Sequence, residues 1–213
     1  LAETDYLQFD LGGGSIELVW VKDRKIKKSI SLPFGAVTLT EKFASQDRIS
    51  SDGREEMLDW LEKQWKDLEW LKEAKGLPVI GTGGTARNIA KMDQKRKKYP
   101  FYKIHNYPVD DSSIFGIWDD LSKTDLDERK KWPGLSEGRL DLILAGAGIV
   151  YSLLDYLHSP CLIASGSGIR EGLFFEYYRK RWDKPVVIPN ILHHSTRNMM
   201  RFYKVNESHT GHM

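Results

Sequence analysis

The sequence contains a single cysteine, Cys161, among its 213 residues. This excludes an internal disulfide framework and indicates a reducing compartment, so we expect a cytoplasmic protein. No signal-peptide pattern and no apolar run long enough to span a bilayer are visible, so we expect no membrane partner. The formal net charge is only +2. That value argues against a polycationic chain, and we expect no nucleic-acid partner.

The positive charge is clustered instead of spread. Basic residues are concentrated in KMDQKRKKYP, which includes Lys95–Lys98, and in YYRKRWDK, which includes Arg179–Arg181. Such runs usually form solvated surface, but a polyanion would also be guided by them.

Apolar runs of strand length alternate with helical patterns, which predicts an α/β layer structure with a mixed sheet flanked by helices. YLQFDL and SIELVWVK predict two strands, and KDRK predicts the hairpin turn that follows. A helix is predicted from near Gly35. A longer one is predicted from an N-cap at Asp52 to about Lys75, with its apolar stripe against a sheet. LDLILAGAGIVYSLLDYL is apolar on all sides and predicts a buried helix.

Glycine is concentrated where predicted strands end. In QFDLGGGSIELVW, two apolar runs meet at Gly12–Gly14, with Asp10 and Glu17 on either side. GTGGT, ending at Thr85, and SGSGIREG also follow apolar runs. Glycine lets a ligand approach backbone amides, and a helix start adds its dipole, so such turns are typical anion sites. We expect all three turns at one edge of the sheet, and Thr85 to cap its helix while showing its hydroxyl to a phosphate.

Asp10 and Glu17 flank the first turn and are expected at one cleft edge. Two carboxylates beside a phosphate cradle would repel the substrate unless a cation lay between them. Mg²⁺ fits this need because it takes few carboxylates and bridges to phosphate oxygens. A hairpin with solvated acids is the alternative that the spacing leaves open.

Several motifs in the same order resemble one family. FDLGGGSIELV, SLPFGAVTLTEKF, VIGTGGTARNIAK, WPGL, RLDLILAGA and SGSGIREGLFFEY are similar to motifs of the exopolyphosphatase and guanosine pentaphosphate phosphohydrolase family. That family belongs to the superfamily of sugar kinases, actin and heat-shock ATPases. The resemblance implies a ribonuclease H-like (actin-like ATPase) lobe and hydrolysis of terminal phosphoanhydride bonds of polyphosphate, guanosine pentaphosphate or both.

The resemblance also implies roles for individual residues. Asp10 and Glu17 match the metal-site positions, which implies Mg²⁺ as the cofactor. Arg139 and Arg170 are implied to bind phosphate, and an internal ion pair is the alternative role for each of them. The positions implied to bind phosphate are Gly12, Gly13, Gly14, Ser15, Gly83, Gly84, Thr85, Arg139 and Arg170.

The resemblance covers one lobe. Residues 1–184 are predicted to form the second lobe, and residues 185–213 a linker and the start of a truncated helical, HD-like domain. The first lobe, with its own phosphate turn and the glutamate that acts on water, is not matched. We therefore expect this chain alone to be inactive, with the first lobe as a partner, and the sequence leaves a homodimer open.

Two other functions remain open from the sequence. An ATP-dependent kinase of the same superfamily would share the fold, although the family motifs favour a hydrolase. A non-catalytic module that binds nucleotide or polyphosphate is the other, because no catalytic glutamate is matched.

Overall fold

Strands and helices alternate along the chain as predicted. The computed structural model describes residues 4–44 and 48–205. The strands are β1 (Tyr6–Leu11), β2 (Ile16–Lys22), β3 (Lys25–Leu32), β4 (Val79–Thr82), β5 (Tyr107–Asp110) and β6 (Cys161–Ala164). The α-helices are α1 (Ala36–Phe43), α2 (Ser51–Lys66), α3 (Gly83–Arg96), α4 (Asp111–Ser122), α5 (Leu126–Arg129), α6 (Ile143–Leu157), α7 (Ile169–Arg181) and α8 (Ile191–Phe202). Two 3₁₀ helices span Glu69–Ala74 and Glu137–Arg139.

The strands form one mixed sheet in the order β3-β2-β1-β4-β6-β5. The central strands β1, β4 and β6 are parallel. On one side β2 and β3 continue as an antiparallel meander, and on the other β5 runs antiparallel to β6. Asp23 and Arg24 form the hairpin turn with φ of 52° and 58°, which suits a tight hairpin turn. The predicted class, a mixed sheet with flanking helices, is confirmed.

Helix α6 is the centre of the helical layer and is buried along its length, as its sequence predicts. Helices α1, α2, α3 and α4 pack around it. Trp65 on α2 donates from Nε1 to Ser152 Oγ of α6 at 3.0 Å, which satisfies a polar atom in the core. Helix α3 contacts both α6 and the parallel strands. It is therefore held between the sheet and the helical layer.

The long helix predicted from Asp52 to Lys75 is wrong at both ends. The side chain of Ser50 accepts a hydrogen bond from the Gly53 amide at 3.0 Å, so Ser50 is the N-cap and Asp52 lies in the first turn. The helix ends at Lys66, and a 3₁₀ helix follows in which Trp70 stacks on Trp20 of β2 with ring centroids 6.5 Å apart. The packing of α2 is also different from that predicted, because its main contacts are with α6 and α1.

The chain divides into two compact units. Thr4–Gly168 contains the whole sheet and helices α1 to α6, and the second unit contains α7 and α8. Within the segment predicted as a linker and the start of a helical domain, α8 begins after Asn190, whose Oδ1 accepts from the His193 amide at 2.9 Å. The division into a lobe ending at 184 and a truncated helical domain stays a prediction, and residues 206–213 of that domain lie outside the described residues. Among the described residues, no helix is long and apolar enough to cross a membrane.

Gly81 tests the packing of β4 against α3. A Cβ at Gly81 would lie 2.7 Å from Phe9 Cζ, Ala86 Cβ and Leu162 Cδ1, so we expect Gly81→Ala to lower the free energy of unfolding by about 1–3 kcal/mol. A Cβ at Gly116 on α4 would meet nothing within 4 Å. Gly116→Ala should therefore raise stability by about 0.5–1 kcal/mol through helix propensity. Urea denaturation of both variants measures this, and an unchanged midpoint for Gly81→Ala would contradict the packing.

Candidate functional site

The three glycine turns lie at one edge of the sheet. Strands β1, β4 and β6 are parallel neighbours, so their carboxyl ends point the same way. The turns that contain Gly13, Gly83 and Gly166 follow those three ends directly. The expectation that the turns are gathered rather than scattered is confirmed.

The carboxylates of Asp10 and Glu17 share one face of the sheet. The two residues are direct partners in the antiparallel pairing of β1 with β2, and partners in such a pair point to the same side. Their neighbours Phe9 and Leu18 are fully buried on the opposite face. Asp10 and Glu17 are half-buried, so they are anchored by the sheet and still reachable from outside.

Glu17 is held in position by two hydroxyl groups. Its Oε1 accepts hydrogen bonds from Ser15 Oγ and Ser31 Oγ, each at 2.8 Å. Ser31 is the partner of Glu17 in the pairing of β2 with β3. Sequence reasoning missed Ser31, because its role depends on the strand register. With Oε1 occupied in this way, Oε2 is the oxygen left for a cation.

Asp10 lies against the start of α3. It pairs with Thr82 across β1 and β4, and a Cβ at Gly83 would lie 3.1 Å from Asp10 Oδ1 and 2.9 Å from the Leu11 carbonyl. Gly83 has a φ of +91°, which other residues rarely adopt. The Asp10 carboxylate therefore lies next to both the first glycine turn, which follows it in the chain, and the second, which contains Gly83.

The first turn of α3 has no acidic residue and no side-chain cap. Thr82 occupies the N-cap position, but its hydroxyl donates to the Phe9 carbonyl at 2.9 Å. The prediction that Thr85 caps this helix is wrong. Thr85 lies two residues inside the helix, is 1% exposed and packs against Gly146 of α6. Its predicted role in phosphate binding is not supported by this burial.

The loop Gly12–Ser15 uses part of its backbone for the fold. The Gly12 amide donates to the Ser15 carbonyl at 3.0 Å, and the carbonyls of Gly12 and Gly13 accept from the amides of Ala36 and Val37 at 3.0 and 2.9 Å. These bonds cap the start of α1. Among the described residues, the amides of Gly13 and Gly14 have no acceptor. Those two donors are left for a ligand.

Gly14 is a glycine of this loop that the fold itself does not require. A Cβ there would meet nothing within 4 Å, and its φ lies outside the left-handed region. The residue is exposed. A glycine without a steric or conformational reason inside the chain fits a position where a ligand approaches the backbone.

Arg139 lies directly over Gly84. A Cβ at Gly84 would be 2.6 Å from both Cζ and Nη2 of Arg139, so the guanidinium occupies the space that a side chain would take. Arg139 forms no ion pair with any residue in the described ranges 4–44 and 48–205. The alternative of an internal ion pair is therefore not found for Arg139, and its guanidinium is adjacent to the start of α3.

Asn88 holds the segment that carries Arg139. Its Nδ2 donates to the Gly84 carbonyl at 2.8 Å, and its Oδ1 accepts from the Ser136 amide at 2.9 Å. One amide side chain thus connects the first turn of α3 to the 3₁₀ helix that ends at Arg139. This residue was also missed from the sequence, because its contact spans 48 positions.

The amides of the third turn are bonded to the side chains of Ser165 and His105. Ser165 Oγ accepts from the Ser167 amide at 3.2 Å, and the Gly166 amide donates to His105 Nδ1 at 3.2 Å. Burial lowers the pKa of His105, which favours the neutral ring that can accept this bond. Arg170 belongs to the second unit, on α7, and its predicted contact with phosphate stays a prediction.

The donor set fits a magnesium ion better than a transition metal. Within the part of the chain that the structure describes, no group of three or more His, Cys, Asp or Glu side chains forms a metal cluster. Asp10 and Glu17 offer two carboxylates with no histidine or cysteine. Mg²⁺ binds through one or two carboxylates and completes its coordination with water and substrate oxygens.

Comparison with known proteins identifies the class. Residues 1–181 match the Ppx/GppA phosphatase family, and this chain belongs to that family. It is similar to a solved Ppx/GppA family member from Aquifex aeolicus, with 32% identity and a TM-score of 0.72 over 84% of this chain. An exopolyphosphatase structure from Cytophaga hutchinsonii shares the fold, with a TM-score of 0.73 at 20% identity. The resemblance and the actin-like ATPase fold predicted from the sequence are confirmed.

The relatives are longer than this chain. A bifunctional 3-dehydroquinate synthase/phosphatase from Fusobacterium nucleatum is 31% identical over 174 residues, which cover 80% of this chain and 26% of that protein. Exopolyphosphatase 1 from Mycobacterium leprae is 24% identical over 78% of this chain and 50% of its own length. The chain therefore spans between a quarter and a half of these curated relatives, and 57% of the Aquifex aeolicus chain.

The contact between Gly84 and Arg139 gives a direct test. Gly84→Ala should displace the guanidinium, and Arg139→Gln should remove it, so both should weaken orthophosphate binding to the chain. The obstructing atoms are the end of a flexible side chain, so unfolding free energy should change little. We expect the double variant to bind no more weakly than Arg139→Gln alone, as measured by calorimetric titration. Additive losses would mean that Gly84 acts independently of Arg139.

Proposed function

We propose that this chain is the second lobe of a phosphatase that hydrolyses the terminal phosphoanhydride bond of inorganic polyphosphate, guanosine pentaphosphate or both. One observation carries the proposal. Asp10 and Glu17 are direct partners in the pairing of β1 with β2, and Asp10 Oδ1 lies 3.1 Å from the position that a Cβ of Gly83 would take at the start of α3. Carboxylates suited to hold a metal ion and backbone amides suited to bind phosphate therefore lie close together. A hairpin with solvated acids would not require this arrangement.

Asp10 and Glu17 are the residues that would hold Mg²⁺. The ion, when bound, supplies charge that neutralises phosphate oxygens. Ser15 and Ser31 keep Glu17 oriented by their hydrogen bonds, which is how outer-shell groups tune a metal site. Without a cation, the two carboxylates would repel an anionic substrate.

The remaining residues bind and orient the phosphoryl group. The amides of Gly13 and Gly14 would donate to its oxygens, and Arg139 would add a planar, fixed charge. Phosphoryl transfer depends mainly on such positioning and electrostatic stabilisation. The attacking water would be oriented by a glutamate of the first lobe, as the family resemblance implies.

The lobe alone offers half of this arrangement. It has backbone donors, an arginine and a carboxylate pair, and both carboxylates are assigned to the metal, so the group that accepts a proton from water is expected from the first lobe. We therefore propose that the isolated chain binds phosphate weakly and releases none. Polyphosphate is the substrate we favour, and a protein without turnover that only binds these anions is the remaining alternative.

Removing either carboxylate tests the assignment. In the complete protein, Asp10→Asn and Glu17→Ala should each abolish most Mg²⁺-dependent phosphate release, because the charge that offsets the cation is lost. Both side chains are half-buried at an edge, so truncation leaves no core cavity and the unfolding midpoint should be kept. Phosphate release from polyphosphate with and without Mg²⁺ is the measurement.

Asp127→Asn is the matched control for these two variants. The side chain of Asp127 is 84% exposed and pairs only on the surface with Lys130, so its removal should leave turnover unchanged. Full activity of Glu17→Ala, or robust turnover by the isolated 213-residue chain, would overturn the site assignment.

A further inference from the structure

Helix α3 exposes a single stripe, and every side chain on it is cationic. Eight residues of α3 are buried against the sheet and α6. Arg87, Lys91 and Lys95 are exposed at four-residue intervals, which places them in one row. The other exposed residue of α3, Arg96, is paired with Asp120 at 3.0 Å.

The cations of this row, Arg87, Lys91 and Lys95, are not neutralised. None of the three forms an ion pair with a residue in the described parts of the chain. Nearby Lys97, in contrast, is bound by Asp93 and Asp110 at 3.0 and 2.7 Å. Arg87 donates from Nε to the Gly83 carbonyl at 3.1 Å, which fixes the first member of the row at the candidate site.

The row leads away from the phosphate-binding turn. At a rise of about 1.5 Å per residue, neighbouring cations are about 6 Å apart along the helix axis, and Lys95 lies about 16 Å from Gly84. The spacing is regular because each cation follows the previous one by four residues, slightly more than one helical turn. No aromatic or acidic side chain is exposed between Arg87 and Lys95.

The row ends in a cavity of about 180 Å³. Gln94 holds the wall of this cavity in place. Its side-chain Nε2 donates to the Lys103 carbonyl at 3.1 Å, and its backbone carbonyl accepts from the Tyr99 amide at 2.8 Å. None of the described residues that line the cavity is acidic. Its lining residues are Lys91, Gln94, Lys95, Tyr99, Phe101, Tyr102 and Gly134.

We propose that the α3 row is a binding track for the internal phosphates of a polyphosphate chain whose terminal phosphate lies at the candidate site. This inference rests on the proposed function and adds a second binding region to it. A linear, flexible polymer with a charge on every phosphate matches a row of evenly spaced cations. A single nucleotide would not contact all of them. Along the row, among the residues that the structure describes, side chains that could stack on a nucleobase lie at the far end, at Tyr99, Phe101 and Tyr102.

Neutralising the distal part of the track tests this. Lys91→Gln/Lys95→Gln in the 213-residue chain should bind long-chain polyphosphate roughly tenfold more weakly and should lower the slope of log affinity against log salt by about 1.4, as expected for two lost phosphate contacts. Binding of tripolyphosphate should stay within about twofold, because it reaches only the candidate site. Fluorescence titration at several salt concentrations measures both.

Lys27→Gln/Lys28→Gln is the matched control. It removes the same charge from exposed residues of β3, toward the end of that strand away from Ser31 and Glu17. This variant should bind both polyphosphates as the unmodified chain does. An equal loss in the control would mean that net charge alone acts, and would overturn the track.

Other outcomes also decide the matter. If Lys91→Gln/Lys95→Gln keeps its affinity for long chains, the track is wrong, even where Asp10→Asn in the complete protein still abolishes phosphate release and the proposed function stands. If the unmodified chain binds tripolyphosphate as tightly as long chains, the track is equally wrong. A single-stranded oligoribonucleotide that outcompetes polyphosphate would reassign the row to nucleic acid.

Discussion

The register of β1 is the constraint on which the site depends. Asp10 is paired with Glu17 on one side and with Thr82 on the other, so a single strand position joins the carboxylates to the start of α3. A slip of one residue would turn Asp10 into the core. That slip is opposed by Phe9, Leu11 and Leu18, which are buried on the other face. Hydrophobic alternation, and not any contact between functional groups, therefore aligns the carboxylates.

The charge at the start of α3 depends on the lack of an acidic or capping side chain in its first turn. Most helices place an acid or a capping hydroxyl at their first turn. Here Thr82 bonds to the strand instead, and the first turn carries no acid. The positive end of the helix therefore keeps free capacity for an anion, and Arg139 adds charge beside it. In the proposed function, a cation held by Asp10 and Glu17 would offset the repulsion between these carboxylates and a bound phosphate.

Sequence patterns predict the local parts of this structure well. Strand ends, glycine turns and the buried helix α6 follow from periodicity and turn chemistry, which act over a few residues. The break after α2 does not, because no helix-breaking residue is present there, and the segment that follows packs through Trp70 on Trp20, a residue of a distant strand. Ser31 and Asn88 stayed hidden for the same reason. Their roles depend on strand register and on a contact between distant segments.

Different positions on helix α3 serve the fold and the proposed binding of the ligand. Its buried residues anchor it between the sheet and α6, while Gly83 and Gly84 at its start lie open to Asp10 and Arg139. The cations Arg87, Lys91 and Lys95 use positions that contribute no core contact, so their charges add little cost to folding beyond mutual repulsion in water. A ligand that bridges them would relieve that repulsion. The same helix is therefore anchored on one side and presents the proposed polyphosphate track on the other.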